Sequence, residues 1–536
     1  MKLNKLLCAA MIVPFFFMSC TSIQQPQEVS KPLDYSDEDV KKSEIAKIRE
    51  LQLTEPVKAL WRAHLLNDEE IITECTELCK NKMNEYIAAN DVLTAQRYYS
   101  SLVASGWDDE NSIQLPQISD VPGLAPENPY APKTIEDCMN TTVTIWVDRG
   151  WKVTNGAGTV DIVIGSGFFI DRRGYLITNH HVIESMVDEK YEGYTRLYIK
   201  LLSDPDTKIP AKVVGYDPTM DLALLKVEIT PEFVFSLGSS SDLRIGDKVS
   251  AIGTPVGLEG TLTSGIISST ERKLLTLGNV FQIDAAVNSG NSGGPLIDEK
   301  LNVQAIVFAG MVQLQGLNFA IPVEYLKQEL PLLYNNGEGG QVIHSWTGSY
   351  GHTKRTGNKK TGLEVQYVMP GGSSFMTGLR EDNVITAIDG KKINSLEDFQ
   401  FIMLALQPQS IVRCDYLDSE ENEKSALLYL DIRPDQPLKK IFSSDFLNNS
   451  FVPIVGMKLV RNSTEMRNSY AVQKVIKGSV ADQMSFSETD IIIVREVKFD
   501  DENEQFYAQI YCKRKQKGFL DASLVVGSSY DSPYYF

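Results

Sequence analysis

Five prolines, Pro116, Pro122, Pro126, Pro129 and Pro132, fall within 17 residues, and the hydrophobic period differs on their two sides. From Tyr35 to Trp107, segments such as "EPVKALWRAHLL" and "DEEIITECTELCKNKMNEYIAAN" carry apolar residues three and four apart, and Gly and Pro are nearly absent. That spacing is the signature of amphipathic helices. After the prolines, "VDIVIGSGFFID", "LALLKVEI", "KVSAIG" and "VQAIVFAG" are short apolar runs cut by Gly, Asp and Pro. Such runs read as strands of a sandwich or barrel. One layer cannot serve both periods. The reading is therefore a helical domain over 35–115, an extended Pro-rich linker over 116–133 and a β-rich domain over 134–336.

The remaining length fits this multidomain plan, since 536 residues correspond to about three or four domains. "PVEYLKQELPLLYNN" predicts a helix that closes the β-rich domain, and a Gly- and polar-rich stretch over 337–360 predicts a second linker. Residues 361–436 hold strands around the helical "SLEDFQFIMLAL", and 450–536 repeat that order more loosely. Two copies of one small β/α module are expected.

The first residues have a targeting character. Lys2 and Lys5 precede an apolar run from Leu6 to Met18. The run is short of the roughly 20 residues a spanning helix needs and suits the core of a secretory signal. "FMSC" resembles a bacterial lipobox, although Phe17 stands where Leu is usual. The resemblance implies a signal over 1–20, lipidation of Cys20, a tether over 21–34 and attachment to a membrane of the cell envelope. Beyond Cys8 and Cys20 an odd five cysteines remain, scattered along the chain, which is no disulfide framework. The five histidines form no cluster with them, so no metal or other cofactor is expected. A net charge of −18 argues against nucleic acid as a partner.

Chemistry concentrates in three places within the β-rich region. His181 lies in "LITNHHVIES", Asp221 in "YDPTMDLALLKV" and Ser292 in "NSGNSGGPL". A serine hydroxyl attacks only when a base takes its proton. An imidazole can do so, and a carboxylate can fix its tautomer. Glycines around Ser292 allow the backbone to bend so that N–H groups converge on a developing oxyanion.

The order His, Asp, Ser and the motif "GNSGGP" resemble the chymotrypsin-like serine proteases. "GSGFFID…GYLITNHHV", "DLALLKV", "QIDAAVNSGNSGGPLID" and "GLNFAIPV" are similar to the HtrA/DegP family over about 134–335. The resemblance implies a chymotrypsin-like double β-barrel with His181 as base, Asp221 as its orienting acid and Ser292 as nucleophile. Alternation along a strand is expected to turn His180 away from the cleft. Asp217 reads as a turn residue, and Ser289 as loop polarity. Oxyanion donors are expected at Gly290 and Ser292, with Asn291 as a further candidate. Val287 is expected to line the substrate pocket and favour cleavage after small aliphatic residues. Arg272 falls where the family has a sensor-loop arginine.

The two C-terminal modules resemble PDZ domains, the second degenerate. A carboxylate-binding loop and edge strand are expected at Gly362, Leu363, Glu364 and Val365 in "TGLEV". The family implies unfolded or C-terminally exposed polypeptides as partners, and a homotrimer. Two other functions fit the same motifs: a chaperone-like binding scaffold with latent protease activity, or a regulatory protease that cuts one membrane partner.

Overall fold

The computed structural model describes residues 24–536 apart from 109–112, 114, 116–119, 155, 190, 255–259, 275–276, 289, 311–316, 336–338, 463–467, 489 and 515–519. The signal, Cys20 and Ser289 lie outside the described residues. The chain forms two compact units, one running from Pro116 to Ile343, the other combining the chain up to Leu115 with His344–Phe536.

The N-terminal helices are α1 (Glu38–Thr54), α2 (Pro56–Leu66), α3 (Glu69–Ala88) and α4 (Val92–Ala104). Asp37, Asp68 and Asp91 accept backbone N–H groups of the first turns of α1, α3 and α4, as N-cap residues do. Cys75 and Cys79 lie on the buried face of α3 as free thiols. Glu44 and Arg62 form a buried ion pair, with Nη2 to Oε2 at 2.7 Å.

The unit from Pro116 begins with a Pro-rich segment that packs on the barrel instead of hanging free. The Asn128 amide donates to the Val234 carbonyl, and the Arg172 guanidinium lies 4.1 Å from the Tyr130 ring centre. Helix α5 (Ile135–Thr141), capped by Thr134, leads into β1 (Thr142–Thr154), β2 (Ala157–Asp171) and β3 (Tyr175–Thr178). After α6 (His180–Val187) come β4 (Arg196–Leu201), β5 (Asp204–Asp217) and β6 (Leu222–Val227). The order β5-β4-β1-β2-β3-β6 closes because β5 also pairs with β6. The second barrel uses β7 (Lys248–Gly253), β8 (Thr261–Arg272), β9 (Val280–Ile283), β10 (Pro295–Ile297), β11 (Val303–Gly310) and β12 (Asn318–Pro322), closed in the order β10-β11-β12-β9-β8-β7. The expected double barrel is present, and α7 (Val323–Asn335) is its closing helix.

The other unit continues after β13 (Gly340–Gln341), which pairs with β5. Its first module has β14 (Ser345–Trp346), β15 (Ser349–Thr356), β16 (Lys359–Val368), α8 (Ser373–Met376), β17 (Val384–Ile388), β18 (Lys391–Lys392), α9 (Leu396–Leu404), β19 (Ile411–Leu417), β20 (Glu423–Tyr429) and β21 (Asp431–Ile432). The main sheet runs β15-β16-β17-β19-β20. Two expectations are corrected here. Residues 349–356, expected in a linker, are the first strand of this sheet. Their Gly and Lys content reflects a strand at the edge, where charge is tolerated. Gly362–Val365 lie within β16, which pairs with β15 on one side and β17 on the other. A peptide adds to a free edge, so this segment is not the peptide-binding strand. Leu363 and Val365 are fully buried in the core instead.

The second module has α10 (Pro437–Ser444), α11 (Leu447–Val455) and a five-stranded antiparallel sheet, β22 (Met457–Arg461), β23 (Ser469–Val475), β24 (Ile491–Asp500), β25 (Gln505–Arg514) and β26 (Leu520–Ser529), with α12 (Val480–Gln483) between β23 and β24. The helical domain is not an independent body. Trp61 stacks on Tyr429 at 5.6 Å and donates to the Leu427 carbonyl, while Ser101 Oγ accepts from the Ile411 N–H. Ile411 and Tyr429 belong to the same apolar core as α1 to α4.

Candidate active site

His181 sits in the first turn of α6, directly after β3. The alternation expected to separate it from His180 therefore does not apply, because both residues are helical. A helix turns each successive side chain by about 100°, and this does separate them. His180 stacks on Tyr216, with ring centres 5.3 Å apart. Burial is the largest influence on its imidazole and holds the pKa below the ordinary value. His181 faces Asp221. Asp221 Oδ2 is 2.7 Å from His181 Nδ1, and Oδ1 accepts the His181 backbone N–H at 2.8 Å. Burial pulls the His181 pKa down, but the charge and hydrogen bond of Asp221, with a smaller contribution from the Glu184 charge, outweigh it, and the net shift is upward.

Asp221 reaches this position from a left-handed backbone, φ 57°, at the entrance to β6. Apart from glycine, short polar residues such as Asp and Asn adopt that region most readily. The Asn179 amide donates to the Asp221 carbonyl at 2.8 Å and ties the turn to the start of α6. Asp217 is the expected turn residue: its Oδ1 accepts the N–H groups of Thr219 and Met220.

Ser292 lies half-buried between Gly290 and Gly293, whose φ values are 103° and 86°. A Cβ at Gly293 would come within 2.2 Å of the Ser166 carbonyl oxygen and 3.0 Å of the Asn179 N. The missing side chain at 293 therefore lets the serine loop lie against the segment that begins α6. The Ser292 carbonyl accepts the Ser166 N–H at 2.8 Å, and Thr178 Oγ1 donates to the Ser166 carbonyl at 2.7 Å. The Ser292 hydroxyl donates to the Phe308 carbonyl at 3.3 Å, a long bond.

The Asn291 N–H is donated to the Asn288 carbonyl at 3.0 Å. This corrects the expectation that Asn291 supplies an oxyanion donor, since its proton is already used inside the loop. The N–H groups of Gly290 and Ser292 have no partner among the described residues.

Ser166 is a residue that the sequence reading passed over. Its hydroxyl donates to the Gly290 carbonyl at 2.6 Å and accepts the Thr254 N–H at 2.9 Å. It is fully buried. The available signal was a serine between two glycines inside an apolar strand. Val287 is half-buried against the core of the second barrel, next to the serine loop. Arg272 is the last residue of β8, exposed, with Nε donating to Gln282 Oε1 at 2.8 Å. No helix among the described residues is long and apolar enough to cross a membrane.

Comparison with known proteins matches residues 165–306 to the trypsin-like peptidase domain family. Residues 438–530 match the TP0546 family PDZ domain, and 39–119 match a domain of unknown function, DUF8517. A probable periplasmic serine endoprotease DegP-like from Bartonella henselae is 36% identical over 280 residues, covering 50% of this chain and 53% of that protein. The protein of the same name from Chlamydia trachomatis is 33% identical over 46% of this chain and 50% of its own length. The serine protease PepD from Mycobacterium tuberculosis is 33% identical over 50% and 60%. The chain thus spans about half the length of the curated relatives it matches. A solved structure, the HtrA-type protease AlgW with decapeptide, aligns over 56% of this chain and 98% of its own, with 25% identity and a TM-score of 0.46.

Proposed function

We propose that this chain, an HtrA/DegP-like serine protease with PDZ domains, is an endoprotease that hydrolyses unfolded or damaged polypeptides through an acyl-enzyme on Ser292. The observation that carries the reading is the Asp221 carboxylate, which holds both the backbone N–H and Nδ1 of His181 at 2.7–2.8 Å. With Nδ1 protonated, Nε2 is the free lone pair, and the imidazole is a base. Ser292 turns its hydroxyl from Phe308 to Nε2 as substrate enters. Nε2 takes the proton while Oγ attacks the scissile carbonyl. The N–H groups of Gly290 and Ser292 receive the oxyanion. His181 then returns the proton to the leaving amine. A water deprotonated by the same nitrogen cleaves the ester.

Val287 supplies an aliphatic wall, and cleavage after Val, Ala or Leu follows. Arg272 couples peptide binding to the site from the end of β8. The names of the two DegP-like relatives place those proteins in the periplasm. Together with the signal-like start and Cys20, this supports a lipid-anchored protein of the cell envelope, and a trimer is the assembly the family resemblance favours.

The test is digestion of unfolded casein by the chain and by its Ser292→Ala variant, with cleavage sites mapped by mass. Cleavage by the first alone, mostly after small aliphatic residues, is expected. Dominant cleavage after Arg would overturn the assigned role of Val287. An inert wild-type chain, even with added C-terminal peptides, would favour the binding scaffold.

A further inference from the structure

The edge of the first PDZ-like sheet is not free. The segment Asp531–Phe536 follows β26 and lies antiparallel along β15. The Ser349 N–H donates to the Phe536 carbonyl at 2.7 Å, and the Phe536 N–H donates back to the Ser349 carbonyl at 2.9 Å. The Gly351 N–H donates to the Tyr534 carbonyl at 3.2 Å, and Tyr350 faces Tyr535 as a bridge partner. These are ladder bonds of an added strand.

Side chains of the segment alternate as a strand requires. The Phe536 ring packs on Phe399 of α9, with centres 4.8 Å apart, and joins the core of the first module. Tyr534 stacks on His352 at 3.9 Å. Between them, Tyr535 points to the other face and donates its hydroxyl to the Pro453 carbonyl. Gln400, also on α9, donates to the Pro533 carbonyl at 2.6 Å. Gly351 has a reason to be glycine: a Cβ there would meet the Glu364 carbonyl at 2.3 Å and the Phe536 ring at 3.1 Å.

A cleft between an edge strand and a helix, filled by an extended segment with apolar side chains at alternate positions, is the strand-addition mode of peptide recognition. We propose that the β15–α9 cleft is the peptide groove of the first module, and that the chain's own Asp531–Phe536 occupies it in cis. An incoming extended polypeptide with an aromatic residue at the Phe536 position binds by displacing this segment. The inference rests on reading the module as PDZ-like and is independent of catalysis. A tethered occupant acts at an effective concentration on the order of millimolar, so it weakens binding of any outside peptide and sets a threshold for it.

The test uses the full chain carrying Ser292→Ala, so that no peptide is cut, titrated with fluorescein-labelled DSPYYF and read by anisotropy. Two further forms are compared in that background: one ending at Ser532, and one with Tyr534→Ala and Phe536→Ala, which leaves Tyr535 in place. Both are expected to bind the peptide at least tenfold more tightly than the intact chain. Equal affinity in all three forms would overturn the proposal. So would the absence of binding by both altered forms, whether they keep the parent's near-ultraviolet dichroism or lose it, since the segment would then be a permanent strand of the fold.

Discussion

Replacing Asp221 with Asn tests the catalytic geometry at its narrowest point. The amide has one acceptor where the carboxylate has two. The His181 backbone N–H lies 2.8 Å from Oδ1 and must keep an acceptor. The amide nitrogen is thereby forced to the Oδ2 position, 2.7 Å from His181 Nδ1. A donor now faces Nδ1, so the imidazole proton moves to Nε2, and the nitrogen that should take the Ser292 proton carries one instead. The equivalent change in a serine protease triad costs about 10⁴ in kcat. That loss is about 5 kcal/mol of transition-state stabilisation. The pH profile moves as well. Asp221 raises the His181 pKa against burial, which lowers it. Activity of the native chain needs neutral His181 and is lost as pH falls through that raised value. In Asp221→Asn the main raising cause is gone and only the smaller one from Glu184 remains, so the acid limb of the residual activity shifts to lower pH. Initial rates on labelled casein between pH 5 and pH 9 read both effects. A loss smaller than tenfold, or an unmoved acid limb, would refute the assignment of Asp221.

Three further outcomes follow from the structure. Ser166→Ala leaves the buried Gly290 carbonyl and Thr254 N–H without their partner; it should cost about 1–3 kcal/mol of stability and lower kcat more than it raises KM, read by thermal unfolding and casein kinetics. Glu44→Gln removes the charge facing buried Arg62; breaking such a pair costs about 3–5 kcal/mol, seen as a lower urea midpoint. Burial and the neighbouring Asp217 raise the Glu329 pKa well above the ordinary carboxyl value near 4.5. A raised folded value means that its contribution is fully present below the unfolded pKa and is lost as pH rises toward the folded one. Glu329→Gln should therefore stabilise the chain near neutral pH and lose that advantage by pH 4, read from urea midpoints at both.

The double barrel was legible because most of its strands have Gly, Asp or Pro close to an end, and these residues act locally. The pairing of His181 with Asp221 was legible because both residues stand at the end of an apolar run; Ser292 stood out by the glycines around it. What sequence did not show depends on contacts between distant segments. The α6 turn begins one residue after β3, so a helix was read as a strand end and the His180–His181 argument rested on the wrong period. Gly362 in "TGLEV" suggested a loop, but the strand that pairs outside it, β15, is mostly polar (SYGHTKRT) and had no apolar alternation to announce it. The helical domain looked separable because the prolines that follow it are local, whereas Trp61 meets Tyr429 across 368 positions of sequence. Ser166 drew no notice in the sequence, because only the fold brings Gly290 to its hydroxyl.

The central claim is that Ser292 is an activated nucleophile beside an oxyanion site. A fluorophosphonate probe tests it most directly, with intact and peptide mass read on the chain and on Ser292→Ala. One adduct, on Ser292 and absent from the variant, is the predicted result. An unlabelled native chain, or a label that persists in Ser292→Ala, would contradict the account.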